Sequence, residues 1–150
     1  MKYVHTNIIA RDWRKLSEFY QKVFGCRPIG PKRDLSGEWI EKMTGISGVK
    51  IEGEHLLMPG SHEKTPTLEI FSYNYQGETK AEGQVNNCGF SHIAFEVEDV
   101  RKSVDTVIEA GGSLLGEIVS NEYEQLGTGT FVYVRDPEGN IIELQSWVLI

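Results

Sequence analysis

The chain lacks any lysine- or arginine-rich cluster, any apolar run long enough to cross a bilayer, and any cysteine spacing suited to a metal. With 22 acidic against 15 basic residues its net charge is −7. An acidic surface without a local cationic stripe disfavours nucleic acid and anionic membranes as partners. A small anionic substrate met by one or two cations is still admitted. Cys26 and Cys88 are an isolated pair, which fits free thiols in a reducing compartment better than a disulfide framework. The start runs directly into a strand-like stretch with no secretory apolar region, and no membrane-spanning segment follows. These absences lead to the expectation of a soluble cytoplasmic protein. Its 150 residues suffice for one domain or for two small modules sharing a core.

What the chain does have is a repeat. His5 and His92 each open a short alternating apolar stretch, and each is followed seven residues later by an aspartate, Asp12 or Asp99. Both aspartates are placed to cap a helix, because a carboxylate accepts from the free N–H groups of a first turn. The stripes that follow have helical spacing: Trp13, Leu16, Phe19, Tyr20, Val23 and Phe24 in one half, Val100, Val104, Val107 and Ile108 in the other. Gly25 and Gly111 end them, where a left-handed cap costs least. Each half closes on an apolar strand with one glutamate, Glu69 in residues 67–71 and Glu143 in residues 141–145. A His/Glu set duplicated in this way is what a divalent-metal site shared between two modules requires.

The intervening segments read more coarsely. Residues 26–31 form a turn-rich edge, 37–44 a short helix or turn, and 49–52 and 55–58 two strands. The polar stretch from Tyr73 to Asn87 connects the halves. In the second half, 113–119 is a strand, 120–129 a loop and 130–134 a strand, with a tight turn at Asp136 to Asn140. Each half is thus expected to be a βαβββ unit: residues 1–76 the first module, 77–88 a linker, 89–150 the second. The class is α+β, one helix covering one face of each small sheet.

Strand parity sharpens the site. Alternate residues face opposite sides, so His5 goes with Asn7, His92 with Ala94 and Glu96, Glu69 with Thr67, Phe71 and Tyr73, and Glu143 with Gln145. The other faces carry the aliphatic residues that pack on the helices. A single histidine or glutamate on a strand is ordinarily just solvated or hydrogen-bonded; two of each at matching places of a repeat are not explained so. His55 and His62 lie beside expected loops without a counterpart, and are read as surface residues. Asp136 and Gly139 serve the turn, and Trp13, Phe19 and Phe24 the helix core. Trp39 and Trp147 stay open between core, interface and pocket wall.

Taken together, the strand histidine, the Asp-capped helix ending at glycine, the closing Leu68-Glu69-Ile70 strand, and their repetition in residues 91–97 and 136–144 resemble the vicinal oxygen chelate superfamily. That group includes glyoxalase I, methylmalonyl-CoA epimerase, extradiol dioxygenases, fosfomycin-resistance enzymes and bleomycin-binding proteins. The resemblance covers nearly the whole chain. It implies tandem βαβββ modules forming an open, cup-shaped mixed sheet, metal ligands at His5, Glu69, His92 and Glu143, and a homodimer.

Two imidazoles and two carboxylates suit one divalent ion among Zn, Ni, Co, Mn and Fe rather than Ca or Mg. Four protein ligands on a six-coordinate ion leave two sites for adjacent substrate oxygens, whose charge a Lewis acid stabilises as a proton leaves carbon. Glu143 is the expected base, with Glu69 its partner in transfer. Asn7, Phe71 and Tyr73 are the expected substrate contacts. Glu69 as a fourth ligand argues against dioxygenases and thiol transferases, which resemble three-ligand sites, and a bleomycin-type binder needs none. The set resembles bacterial glyoxalase I, whereas the epimerases carry glutamine at the first carboxylate. The expected activity is therefore a metal-dependent lyase or isomerase of the glyoxalase I type, acting on a small carbonyl compound such as a glutathione adduct. The alternatives are an acyl-CoA epimerase acting on a thioester, or a non-catalytic metal- or ligand-binding cup. The segment 37–60 departs from compact bacterial glyoxalase I and is expected to shape the pocket. Arg11, Arg14, Lys32 and Arg33 are the cations available to a glutathione carboxylate.

Overall fold

The computed structural model describes residues 1–61, 66–77 and 83–150. His62, read above as a surface residue, and most of the first half of the expected linker lie outside the described residues. The chain divides into two compact units, Met1–Thr79 and Lys80–Ile150, each carrying a four-stranded mixed sheet.

The first unit runs β1 (His5–Ile9), α1 (Trp13–Phe24), β2 (Arg27–Leu35), α2 (Glu38–Thr44), β3 (Ile51–Leu57) and β4 (Thr67–Tyr73). Its sheet order is β1-β4-β3-β2, with β1 and β4 parallel and the rest antiparallel. The second unit runs β5 (His92–Glu96), α3 (Val100–Glu109), β6 (Ser113–Tyr123), β7 (Gly127–Arg135) and β8 (Ile141–Val148), in the order β5-β8-β7-β6. The topologies match strand for strand, and α2 is the element that one unit has and the other does not. Among the described residues no helix is long and apolar enough to cross a membrane.

Both helices begin where the sequence places them. Asp12 accepts from the backbone N–H groups of Arg14 and Lys15 at 3.2 and 3.3 Å, and Asp99 from that of Lys102 at 3.0 Å. Gly25 closes α1 in the left-handed region at φ 67°. The apolar stripe of α1 buries Trp13, Leu16, Phe19, Tyr20 and Phe24, the helix packs on β3 and β4, and Leu56, Leu68 and Ile70 of those strands are buried too. Full burial of such a side chain contributes about 1.5–3 kcal/mol. In the second unit Val100, Val104 and Val107 are buried along with Phe95, Val132, Val134, Ile142 and Leu144. The aliphatic face of each sheet is thus the helix-covered face, which leaves the glutamate face turned away from α1 and α3.

Three expectations about strands need correction. Residues 27–35 form a strand rather than a turn-rich edge. β2 pairs with β3 at 27–29 and again at 33–35, with a register shift between Ile29 and Arg33. Prolines that cannot donate to a ladder are tolerated on an edge strand and at a bulge, and Pro28 and Pro31 are on one. Residues 51–57 form one strand, not two. Gly53 reads as a break in sequence, yet a Cβ there would lie 2.0 Å from the Ile70 carbonyl oxygen and 2.4 Å from Cδ1 of Phe71, so glycine is what lets β3 run unbroken past β4. Finally, residues 120–123 and 127–129 are strand rather than loop. The polar run Ser120-Asn121-Glu122 belongs to an exposed edge strand, where polar side chains on both faces erase the alternation.

The α1–β3 contact also encloses a carboxylate. Glu54, 7% exposed, accepts a 2.5 Å hydrogen bond from the Ser17 hydroxyl, which in turn accepts one from Gln21 at 2.9 Å. Removing that donor leaves a buried carboxylate under-satisfied, which costs about 1–3 kcal/mol. Ser17→Ala should therefore lower the urea midpoint without changing the slope of the transition. The two thiols differ as sharply. Cys26 is buried, and burial pushes its pKa up to about 12, while Cys88 is exposed. At pH 8 only about one Cys26 in ten thousand is thiolate. A thiol-reactive chromophore should titrate one cysteine in the native protein and the second only after unfolding.

Candidate metal centre

Parallel pairing in the first unit sets Asn7 opposite Glu69 and His5 opposite Thr67, and antiparallel pairing sets His55 opposite Glu69. Asn7, Glu69 and His55 therefore form one row across β1, β4 and β3, on the face away from α1, and His5 stands one pair further along the same face. The carboxylate of Glu69 is engaged at both oxygens. Oε1 lies 2.9 Å from His55 Nε2; Oε2 accepts from the Asn7 amide at 2.8 Å and lies 3.6 Å from His5 Nε2. The rings of His5 and His55 meet edge-on at 5.7 Å.

His55 was not anticipated as a site residue. It is half-buried in β3, not on the surface beside a loop. Its other ring nitrogen, Nδ1, is 3.0 Å from the hydroxyl of buried Thr67. Burial lowers its pKa from the ordinary imidazole value, Glu69 pulls the other way, and the charges of Arg33 and His5 add to the lowering. The net result is an imidazole kept neutral at physiological pH, the form that binds metal. Its parity with Glu69 was legible once β3 is drawn as a single strand through Gly53.

The second unit repeats the arrangement with one exchange. His92 is paired with Ile141, Ala94 with Glu143, and Tyr133 with Glu143 from the other side. His92 Nε2 is 3.2 Å from Glu143 Oε2. Tyr133 occupies the register position that His55 holds in the first sheet. Its ring meets that of His92 at 5.1 Å. Burial, then the Glu143 charge and a hydrogen bond to that carboxylate, raise its pKa, so the phenol keeps its proton and donates it toward Glu143. A cavity of about 310 Å³ opens beside Glu143 and Tyr133, walled by Leu115, Val119, Tyr123 and Phe131. Trp147, whose role sequence left open, stacks against Tyr123 and Phe131 at 5.4 and 5.3 Å.

The other expected contacts are partly occupied. Asn7 is spent on Glu69. Phe71 is 7% exposed in an apolar cluster with Ile40 of α2, Val49 and Ile51, against which Leu35 and Tyr73 pack; Phe71 also meets the His55 ring edge-on at 6.1 Å. The 37–60 segment therefore covers part of the glutamate face next to the cluster. Trp39 is exposed. Of the cations, Arg14 is paired with Glu52 at 3.1 Å, and Lys32 sits 5.5 Å over the Trp13 ring. Arg33 donates to the Pro31 carbonyl.

Ligand bonds of about 2.0–2.2 Å put two donors of one ion roughly 3–4.4 Å apart. His55 and His5 lie 2.9 and 3.6 Å from the Glu69 oxygens, close to that range, and His92 lies 3.2 Å from Glu143; one donor atom from each of His5, His55 and Glu69 falls within 4.8 Å of the others. Imidazole nitrogen with carboxylate oxygen suits a first-row transition ion or zinc. These residues fit a divalent metal.

A family model for the Glyoxalase/Bleomycin resistance protein/Dioxygenase superfamily matches residues 2–144. The chain belongs to that superfamily. Among curated relatives it is 27% identical over 144 residues to a probable lactoylglutathione lyase of Synechocystis, covering 96% of this chain and 94% of that protein. It is 25% identical to the lactoylglutathione lyase of Neisseria meningitidis, covering 95% and 88%. Similar folds are seen in a glyoxalase family protein of Bacillus cereus, with TM-score 0.75, 23% identity and coverage of 99% and 93%. Another is the fosfomycin resistance protein of Listeria monocytogenes in complex with Mn(II) and sulfate, with TM-score 0.56, 19% identity and the same coverage.

Thr67→Val tests the support of His55. It removes the hydroxyl at Nδ1 while keeping a β-branched residue in β4. Loss of such an outer partner costs about 10–100-fold in metal affinity, to be read by competition with a chromophoric chelator.

Proposed function

We propose that the chain is a metal-dependent lyase of the glyoxalase I type, isomerising the glutathione hemithioacetal of a small 2-oxoaldehyde, with His5, Glu69, His92 and Glu143 as ligands. The observation that carries this reading is the duplicated contact of a strand histidine with the glutamate of the closing strand, at 3.6 Å in one unit and 3.2 Å in the other. Support also comes from relatives named lactoylglutathione lyase that match over nearly their whole length.

A bound divalent ion supplies Lewis-acid stabilisation for two adjacent substrate oxygens. Glu143 takes the proton from the carbon that bears sulfur and hydroxyl and returns it to the neighbouring carbonyl carbon, while the hydroxyl proton passes to the oxygen of that carbonyl. A hemithioacetal thereby becomes a hydroxythioester with no change in atoms or electrons. Glu143 suits this role better than Glu69. The first glutamate is held by two imidazoles and an amide, whereas Glu143 faces one imidazole, a phenol that retains its proton, and an open cavity. The phenol orients the carboxylate without withdrawing it from the substrate. Leu115, Val119 and Phe131 give the cavity beside Glu143 an apolar wall for the carbon part of the substrate.

Protein stripped of metal and reloaded with Ni(II) or Zn(II) should convert the methylglyoxal–glutathione adduct to the thioester, followed by ultraviolet absorbance. Absence of turnover with both ions would reject the reading; turnover of an acyl-CoA epimer instead would assign the chain to the epimerases. Glu143→Ala should lower kcat by about 100-fold or more while the protein still takes up metal, and undiminished turnover would remove Glu143 as the base. Tyr133→Phe deletes one hydrogen bond worth about 1 kcal/mol, so a fall in kcat of about 5-fold is expected.

A further inference from the structure

Each sheet lays one phenylalanine ring across a glycine on its glutamate face. At Gly53 a Cβ would stand 2.4 Å from Cδ1 of Phe71; at Gly129 one would stand 2.3 Å from Cζ of Phe131 and 3.1 Å from Cη2 of Trp147. The two rings differ in what lies over them. In the first unit Ile40 of α2 packs with Phe71, Val49 and Ile51, and Phe71 is 7% exposed. The second unit has no helix between β6 and β7, and the corresponding ground is bare, with Val119 54% and Tyr123 40% exposed.

We propose that the cavity beside Glu143 takes an aromatic group of the substrate in the place that Ile40 fills in the first unit, so that the preferred 2-oxoaldehyde is an arylglyoxal rather than methylglyoxal. The identity of the substrate rests on the lyase reading above; the preference of the cavity for an aromatic group does not.

The cavity, of about 310 Å³, is at the lower end of the roughly 300–1,000 Å³ that enclose small ligands, and offers far more room than a methyl group fills. Its wall is fixed before any guest arrives. Phe131 meets Trp147 edge-on at 5.3 Å and Tyr123 edge-on at 6.0 Å, a geometry that aromatic pairs favour beyond simple area burial. The Trp147 indole N–H donates to the Gln145 amide oxygen at 3.0 Å, which holds the indole in place. Rings already ordered lose little freedom when a flat guest covers them, and the guest removes exposed apolar surface from water. Register sets the wall against the base. Tyr133 pairs with Glu143 and Phe131 with Gln145, so Phe131 stands one row, about 7 Å along the strands, from the carboxylate. A substrate whose proton-losing carbon meets Glu143 carries its carbonyl substituent across that interval.

The test uses the full chain in two assays. Protein reloaded with Ni(II) or Zn(II) is given the glutathione adducts of phenylglyoxal and methylglyoxal, and kcat/KM is compared by ultraviolet absorbance. S-benzylglutathione and S-methylglutathione, which undergo no proton transfer, are titrated by calorimetry. Wild type should favour the aromatic member of each pair by about 10-fold or more. Phe131→Ala removes the wall and Val119→Trp fills the cavity, so each should bring both ratios down by about 10-fold. Val119 stands on an exposed edge strand, which keeps its variant informative if Phe131→Ala fails to fold, with circular dichroism as the check. Equal kcat/KM for the two adducts, or an aryl preference that both variants keep, overturns the inference and leaves the lyase reading standing. No turnover of either adduct, with a benzyl preference that the variants abolish, removes the lyase reading and upholds the cavity. No turnover and no discrimination between the thioethers removes both.

Discussion

The parallel pairing of the first and last strands of each unit is the constraint on which the site depends. In both sheets the glutamate sits two residues beyond the partner of the histidine: His5 pairs with Thr67 and His92 with Ile141, so Glu69 and Glu143 fall on the same face as the imidazoles and one row away. Strand periodicity makes this choice all or none. A slip of one residue would turn every donor into the helix-packed core and every aliphatic side chain into water. Burial of Leu68 and Ile70 in one unit, and of Ile142 and Leu144 in the other, opposes that slip. The hydrophobic effect thus fixes the position of polar atoms that it does not touch.

Around that shared register the units have diverged in chemistry. The first surrounds its glutamate with nitrogen donors, from His5, His55 and Asn7. The second surrounds its glutamate with one imidazole, a phenol and an apolar-walled cavity. An insertion accompanies the difference. α2 lays Ile40 over Phe71 and Ile51, covering the glutamate face just beyond His55, while the second sheet keeps Tyr123, Phe131 and Trp147 as an open aromatic wall.

Much of this was legible in the sequence, and the parts that were not have physical reasons. Asp12 and Asp99 announce helix starts because a carboxylate before an amphipathic run has one good use, and both make that contact. The face shared by His5, Asn7, Glu69, Phe71 and Tyr73 follows from counting by two. The edge strands did not show. β2 contains Pro28, Gly30 and Pro31, and β6 contains Ser120, Asn121 and Glu122, because an edge strand needs neither every N–H nor an apolar face, and so looks like a loop. His55 was lost for a related reason. Gly53 resembles a turn, and splitting the strand there detached the histidine from the row it shares with Glu69. Its counterpart could not be found by searching for a second histidine, since the equivalent residue is Tyr133.

Placing a charge on a half-buried sheet face is unfavourable unless its surroundings answer it. In the first unit the two imidazoles and the Asn7 amide converge on the single carboxylate of Glu69, and the His55 imidazole, deprived of solvent, favours its neutral form. The cluster therefore sets two imidazole rings and one amide around a single carboxylate, rather than a closed set of ion pairs, and such a set of nitrogen and oxygen donors is one that a divalent transition ion fits.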